Sequence, residues 1–198
     1  MPRYERKDAL HQRAKREGYR SRAAYKLEEL QRAEGILRGG QRVADLGCWP
    51  GGWLQVAARA VGSSGRVVGV DLAPIEPPIG IENVIAFIGD LSQPPVIERI
   101  LAELGGQADV LLSDAAPKLT GVRATDRARE EALLEALEAS VPKLLRPGGA
   151  LVAKLLDCPE ADAVAARLRK RFASARTLRL RATRQGSTER YLLARGFR

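Results

Sequence analysis

The chain has 198 residues, 45% of them hydrophobic, and a formal net charge of +9, enough to bury one substantial core. No run approaches the ~18 apolar residues of a membrane helix, and the start "MPRYERKDALHQRAKREG" is charged where a signal peptide would be apolar, so a cytoplasmic protein with no membrane partner is expected. Two cysteines, Cys48 and Cys158, and one histidine, His11, cannot form a usual zinc site or disulfide framework, so no metal is expected and His11 reads as a solvated side chain.

Residues 1–20 read as a basic extension and residues 21–198 as a single domain. The first 26 residues carry nine Lys/Arg against three acids, and residues 167–198 carry eleven against Glu189 alone, which leaves the middle of the chain acidic. Two basic ends on an acidic body suit a polyanion, and Tyr4, Tyr19 and Tyr25 in the basic start could stack on bases, so RNA is the expected partner. The segment "SRAAYKLEELQRAEG" then has helical spacing, with Ser21 as candidate cap. From there strands and helices alternate. "RVADLG", "RVVGVDL", "NVIAFIGD", "ADVLLSD" and "GGALVAKLL" are short apolar runs closed by turn residues. "GWLQVAARAV", "PVIERILAEL", "TDRAREEALLEALEASVPKLL" and "EADAVAARLRKRF" are helical, and "APIEPPIGIE" is loop. The alternation predicts an α/β fold with a mostly parallel, doubly wound, Rossmann-like sheet. The final runs "ARTLRLRA" and "ERYLLARGF" are too close for a crossover helix, so they are expected to be antiparallel.

In such a sheet the ligand lies beyond the carboxyl ends of the strands, where the chain order reverses. Three apolar runs end there in aspartate: Asp71, Asp90 and Asp114. The turn "DLGCWPGGW", residues 45–53, follows the first strand and opens a helix. Its glycines are not spaced G-x-G-x-x-G, and no Lys-Ser/Thr follows as in a phosphate loop. It contains no cation, and Asp45 adds negative charge, so it suits a neutral or positive ligand. Asp71, 24 residues after Gly47, stands where an acidic residue accepts ribose hydroxyls. S-adenosylmethionine, with an adenosine, a sulfonium and no phosphate, meets those conditions.

The chain uses 26 arginines and only 7 lysines, yet Lys154 interrupts the apolar strand "GGALVAKLL". A buried ammonium costs several kcal/mol unless paired. At the carboxyl end of its strand Lys154 would lie near Asp114.

Together, "SRAAYKL", "DLGCWPGGW", "GVDL", "GDL", "SDAAPKLTG", "LLRPGGALVAKLL" and "STERYLLA" resemble, in order and over residues 21–194, the FtsJ/RrmJ family of RNA ribose 2′-O-methyltransferases. The resemblance implies an S-adenosylmethionine-dependent methyltransferase fold with an antiparallel C-terminal strand. It implies a catalytic set of Lys26, Asp114, Lys154 and Glu189, of which Lys26 and Glu189 come from the resemblance alone. It also implies a cofactor site of Asp45, Gly47, Pro50, Gly51, Gly52, Trp53, Asp71, Asp90 and Asp114. The length is similar to that of members acting on a uridine ribose of 23S rRNA in the large ribosomal subunit. The same reaction on transfer RNA, and an RNA-binding assembly factor without turnover, stand as alternatives. A ribose 2′-hydroxyl is a poor nucleophile whose proton must be removed, and a lysine at its reference pKa of about 10.4 is protonated at neutral pH. Its neighbours must therefore decide whether Lys154 takes the proton or only steers it. Three features depart from the family pattern on the substrate side. Lys118 stands where Asn is common, "DCPEAD" replaces a glycine-rich turn, and "RATRQGST" is short.

Overall fold

The computed structural model describes residues 9–117, 120–183 and 186–198; Tyr4 and Lys118 lie outside them. Thirteen elements follow in chain order: α1 (Ala9–Arg16), α2 (Ala24–Glu34), β1 (Arg42–Leu46), α3 (Gly52–Val61), β2 (Arg66–Asp71), β3 (Val84–Ile88), α4 (Pro94–Leu104), β4 (Ala108–Ser113), α5 (Arg123–Leu144), β5 (Leu145–Leu155), α6 (Pro159–Arg169), β6 (Phe172–Leu178) and β7 (Arg190–Phe197). The strands form one sheet in the order β3-β2-β1-β4-β5-β7-β6. The first five are parallel, and β7 runs antiparallel to both β5 and β6.

Alternation within each strand sends side chains to two separate cores. Val43, Val67, Val110, Leu112 and Val152 face α2 and α3, while Ala44, Val68, Leu111, Leu151 and Ala153 face α4, α5 and α6. Both faces are covered, which is why these strands read as continuous apolar runs. Each fully buried Val or Leu contributes about 1.5–3 kcal/mol, so the two layers hold the central strands rigid beneath whatever sits on their ends. Glycine ends α2 at Gly35 (φ 57°) and α4 at Gly105 (φ 70°), both left-handed, and proline opens α4 and α6.

Three readings of the sequence change. Helix α1 lies within the basic extension; its only apolar face is Leu10 and Ala14, four apart, yet Ala14 is buried in the core. Ser21 does not cap α2: Ala23 holds the N-cap position, the Ser21 hydroxyl is buried without a hydrogen-bond partner, and it faces Gly52 of α3. The strand expected over "ARTLRLRA" starts earlier and ends at Leu178. Phe172 pairs with Phe197, ring centroids 5.3 Å apart, and the Glu29 carboxylate takes the N–H groups of Arg181 and Ala182 (2.9 Å each), drawing that segment off the ladder.

Candidate active site

The chain runs outward from β1 to β3, then returns to β4 on the other side of β1. This reversal leaves a crevice at the carboxyl ends of β1 and β4. A cleft of about 370 Å³ opens there, walled by Gly47, Asp71, Leu72, Asp90, Leu91 and Ala115 among others. Gly47 has φ 85°, and a Cβ on it would come within 2.3 Å of the Ala115 Cβ, so only glycine lets the first turn lie against the end of β4. Asp71 accepts from the N–H of Trp49 through Oδ2 and from that of Ala73 through Oδ1, both at 2.9 Å, which ties together the loops after β1 and β2. Asp90 accepts the N–H of Ser92 (2.8 Å), and this bond holds its carboxyl below the usual range.

Of the cofactor residues expected from sequence, Gly47, Asp71 and Asp90 line this cleft, while Asp45, Pro50, Gly51, Gly52, Trp53 and Asp114 do not. Several of the residues outside the cleft serve packing. Trp53 is 3% exposed; its indole donates to the carbonyl of Ala23 (2.8 Å) and its ring lies 6.1 Å from that of Tyr191, so it belongs to the core. Gly52 is small because a Cβ would meet the Ser21 hydroxyl at 2.4 Å, and Gly51 because Arg20 and Ile79 press on it. What this turn can offer a ligand is backbone: α3 begins without a side-chain cap, leaving its first N–H groups for an anionic end of a ligand. Trp49, by contrast, is 59% exposed at the rim.

Asp45 is fully buried, and neither of its carboxylate oxygens has a hydrogen-bond partner. Burial, reinforced by the charges of Asp114 and Asp71, pushes its carboxyl well above the usual range. A carboxyl raised in the folded state contributes stability at low pH that is lost as pH rises from its unfolded value through its folded one. In the ligand-free protein Asp45 should therefore pull the thermal midpoint down as pH rises above about pH 4, against the opposite pull of the carboxyls held low, and Asp45→Asn should remove that contribution. Parallel slopes for the two proteins in thermal melts from pH 4 to 8 would rule out Asp45 as the source.

The four residues singled out for catalysis converge beside this cleft. Lys154, 7% exposed at the end of β5, donates to the Asp114 carbonyl (2.6 Å) and lies 3.4 Å from Asp114 Oδ1. Lys26 on α2 lies 3.6 Å from the same Oδ1 and donates to Glu189 Oε2 (2.9 Å). Two ammonium groups and two carboxylates make the set formally neutral, and the pairing offsets the cost of placing lysines here.

Sequence reasoning missed Tyr191. Its hydroxyl donates to Asp114 Oδ1 (2.7 Å), its ring faces Lys26 Nζ at 5.5 Å, and it is paired in register with Lys154 across β5 and β7. Burial and the Asp114 charge raise its phenol, which keeps it a proton donor to Asp114. In "RYLLARGF" it reads as one more core residue, and only the β5–β7 register distinguishes it.

The tyrosines expected to stack on bases do something else. Tyr19 and Tyr25 are each 7% exposed, meet edge to face at 5.6 Å, and donate to Glu28 and Glu17 respectively. Arg59 and Arg13 cover their rings, so these cations pack the N-terminal segment onto the body. His11 is exposed. No helix among the described residues is long and apolar enough to cross a membrane.

Comparison with known proteins finds a family, close relatives in sequence and a shared fold. The family model described as FtsJ-like methyltransferase matches residues 19–197. The "Ribosomal RNA large subunit methyltransferase E" of Methanoculleus marisnigri is 44% identical over 192 residues, covering 97% of this chain and 92% of that one. The protein of the same name from Hyphomonas neptunium is 42% identical over 191 residues, covering 96% and 80%. Among solved structures, a ribosomal RNA methyltransferase from Plasmodium falciparum superposes with a TM-score of 0.77 at 26% identity, covering 90% of this chain and 98% of that one. Aeropyrum pernix fibrillarin, solved with natively bound S-adenosyl-L-methionine, shares the fold with a TM-score of 0.64 at 17% identity, covering 87% and 73%.

Proposed function

Because the chain belongs to the FtsJ-like methyltransferase family, we propose that it transfers a methyl group from S-adenosylmethionine to a ribose 2′-hydroxyl, that of a uridine, in 23S rRNA of the large ribosomal subunit, in the cytoplasm. The observation that carries this reading is the juxtaposition of the Lys26, Asp114, Lys154 and Glu189 set with an acidic cleft at the switch point of the sheet.

The cleft suits the cofactor. Its lining includes two aspartates and no cation, and the bare Gly47 lets a ligand lie close to the backbone. Asp71 would accept ribose hydroxyls, Asp90 would lie at the adenine end, and the uncapped first turn of α3, with Gly51 and Trp53 contributing backbone, would take the methionine carboxylate. When bound, S-adenosylmethionine supplies an electrophilic methyl group on a positively charged sulfur. The remaining work belongs to the chain. Lys154 receives the hydroxyl proton, Asp114 holds Lys154 through its carbonyl and side chain, Tyr191 fixes the Asp114 carboxyl, and Lys26 with Glu189 positions the ribose.

The basic ends would hold the RNA backbone. Lys15 and Arg16 on one side and Lys170, Arg171 and Arg198 on the other are exposed. RNA affinity should fall steeply with salt, with a log–log slope of about −0.7 for each phosphate neutralised; a salt-independent affinity would contradict the assignment. The deciding experiment offers labelled S-adenosylmethionine with naked 23S rRNA, large subunits lacking ribose methylation, bulk transfer RNA and small subunits, and identifies the labelled nucleotide. Label on a ribose of 23S rRNA supports both reaction and target. Label only in transfer RNA keeps the chemistry and changes the target, and no label with cofactor bound points to an assembly factor.

A further inference from the structure

Helix α5 lays an inward stripe of Leu134, Leu137, Val141 and Leu144 on the sheet, and one helical turn before Leu134 the same stripe places Glu130. Helical spacing calls for an apolar side chain there, yet Glu130 is a carboxyl only 2% exposed. Such a residue is costly to bury unless its charge is used. One oxygen, Oε1, accepts the N–H of Leu156 at 3.0 Å; the other, Oε2, is buried with no hydrogen-bond partner. Leu156 immediately follows β5, two residues after Lys154 and just before "DCPEAD", residues 157–162, which stands in place of a glycine-rich sequence and runs into α6.

The charges around this position are few and identifiable. Burial raises the Glu130 carboxyl, while the Leu156 N–H and the Lys154 ammonium pull it back down. At the start of α6, burial raises the Cys158 thiol, and the charges of Glu160 and Glu130 add to it. Lys154 in turn faces Asp114 from β4, Lys26 from α2, and Tyr191 in β7. Lys154, two residues on from Val152, shares its face of β5 and so leans toward the α2 and α3 side, whereas Glu130 approaches the strand end from the α5 side. Lys154 therefore has one carboxylate in contact on its own side and a second acting across the end of the strand. Arg190 clamps the same turn from β7, donating to the Leu156 carbonyl (3.4 Å) and to Asp162 (3.0 Å).

We propose that Glu130 is a positioning residue for Lys154: it fixes the backbone immediately after β5 and places a carboxylate at the end of the strand that carries the amine taking the substrate proton. This rests on the reading of Lys154 as that amine. Its two contributions separate by mutation. Glu130→Gln keeps size and an acceptor oxygen but removes the charge, Glu130→Asp keeps the charge but withdraws it by one methylene, and Glu130→Leu removes both.

The test is the pH profile of kcat for methyl transfer from labelled S-adenosylmethionine to undermethylated large subunits, using the full chain, with Lys154→Arg measured alongside. Without the nearby negative charge the amine gives up its proton more easily. In Glu130→Gln the acid limb should move to lower pH and the rate at a fixed pH on that limb should rise about 3- to 10-fold. Glu130→Asp should keep the limb near its wild-type position with a lower plateau, and Glu130→Leu should show both changes. A residue that only packed the turn would lower the thermal midpoint and the plateau without moving the limb. Superimposed limbs for Glu130→Gln and wild type overturn the proposal while an inactive Lys154→Arg still supports the base. An active Lys154→Arg overturns the base itself, whatever Glu130 does.

Discussion

Replacing Lys154 by alanine is expected to lower the rate of methyl transfer by about 10²- to 10⁴-fold, the range that a positioned proton acceptor contributes. Cofactor affinity should stay within a few-fold, because Lys154 does not line the cleft formed by Gly47, Asp71 and Asp90. Lys154→Arg separates the two things a lysine could supply. Arginine retains the positive charge but has no accessible neutral form, so a charge-only role predicts substantial activity and a proton-accepting role predicts an enzyme as slow as the alanine variant. The measurement is single-turnover transfer together with calorimetric binding of S-adenosylmethionine. Near-wild-type turnover by either variant would remove Lys154 from the mechanism.

The second large effect is expected at Asp114, through stability as much as rate. Asp114→Asn preserves shape and an oxygen for the Tyr191 hydroxyl, but it removes the charge that Lys26 and Lys154 share at 3.6 and 3.4 Å. Lys26 would then keep only Glu189, and Lys154 would lose the one carboxylate it contacts. Breaking a buried ionic arrangement by removing one partner costs about 3–5 kcal/mol, or roughly 10 °C in midpoint for a chain of this size. The penalty should be read at pH 7. Transfer should be lost at every pH. An unchanged midpoint at pH 7 would mean that the cluster is solvated more freely than its burial indicates.

The alternation of apolar runs was enough to read the parallel sheet, because strands covered on both faces have no polar side to show. It also showed that Lys154 was out of place. The positions of Asp71, Asp90 and Asp114 followed from strand ends, and all three stand at the carboxyl edge. What escaped reading depends on pairings distant in sequence. Tyr191 and Glu130 look like ordinary members of a strand and a charged helix until β7 slots beside β5 and α5 lays its stripe on the sheet. Lys26 and Glu189 were reached only through the family pattern, since a lysine on a helix and a glutamate before a strand carry no local signal. Trp53 and Gly52 show a second use of a glycine-rich turn: besides the backbone it can offer a ligand, part of its smallness serves the packing of α3 against the segment that leads into α2.

The order of strands also bears on assembly in time. Strand β7, last in chain order, lies inside the sheet between β5 and β6 and pairs with both. Until it inserts, β6 has no neighbour in the sheet, Lys26 lacks Glu189, 163 residues away, and Asp114 lacks the Tyr191 hydroxyl, 77 residues away. Contacts of such separation form late, after the entropy of closing the intervening chain has been overcome. The cleft lined by Gly47, Asp71 and Asp90, made by β1 through β4 and α5, needs none of them. A folding chain should thus be able to shape that cleft before Lys26, Asp114 and Tyr191 have their partners, with the insertion of one strand completing the cluster beside it.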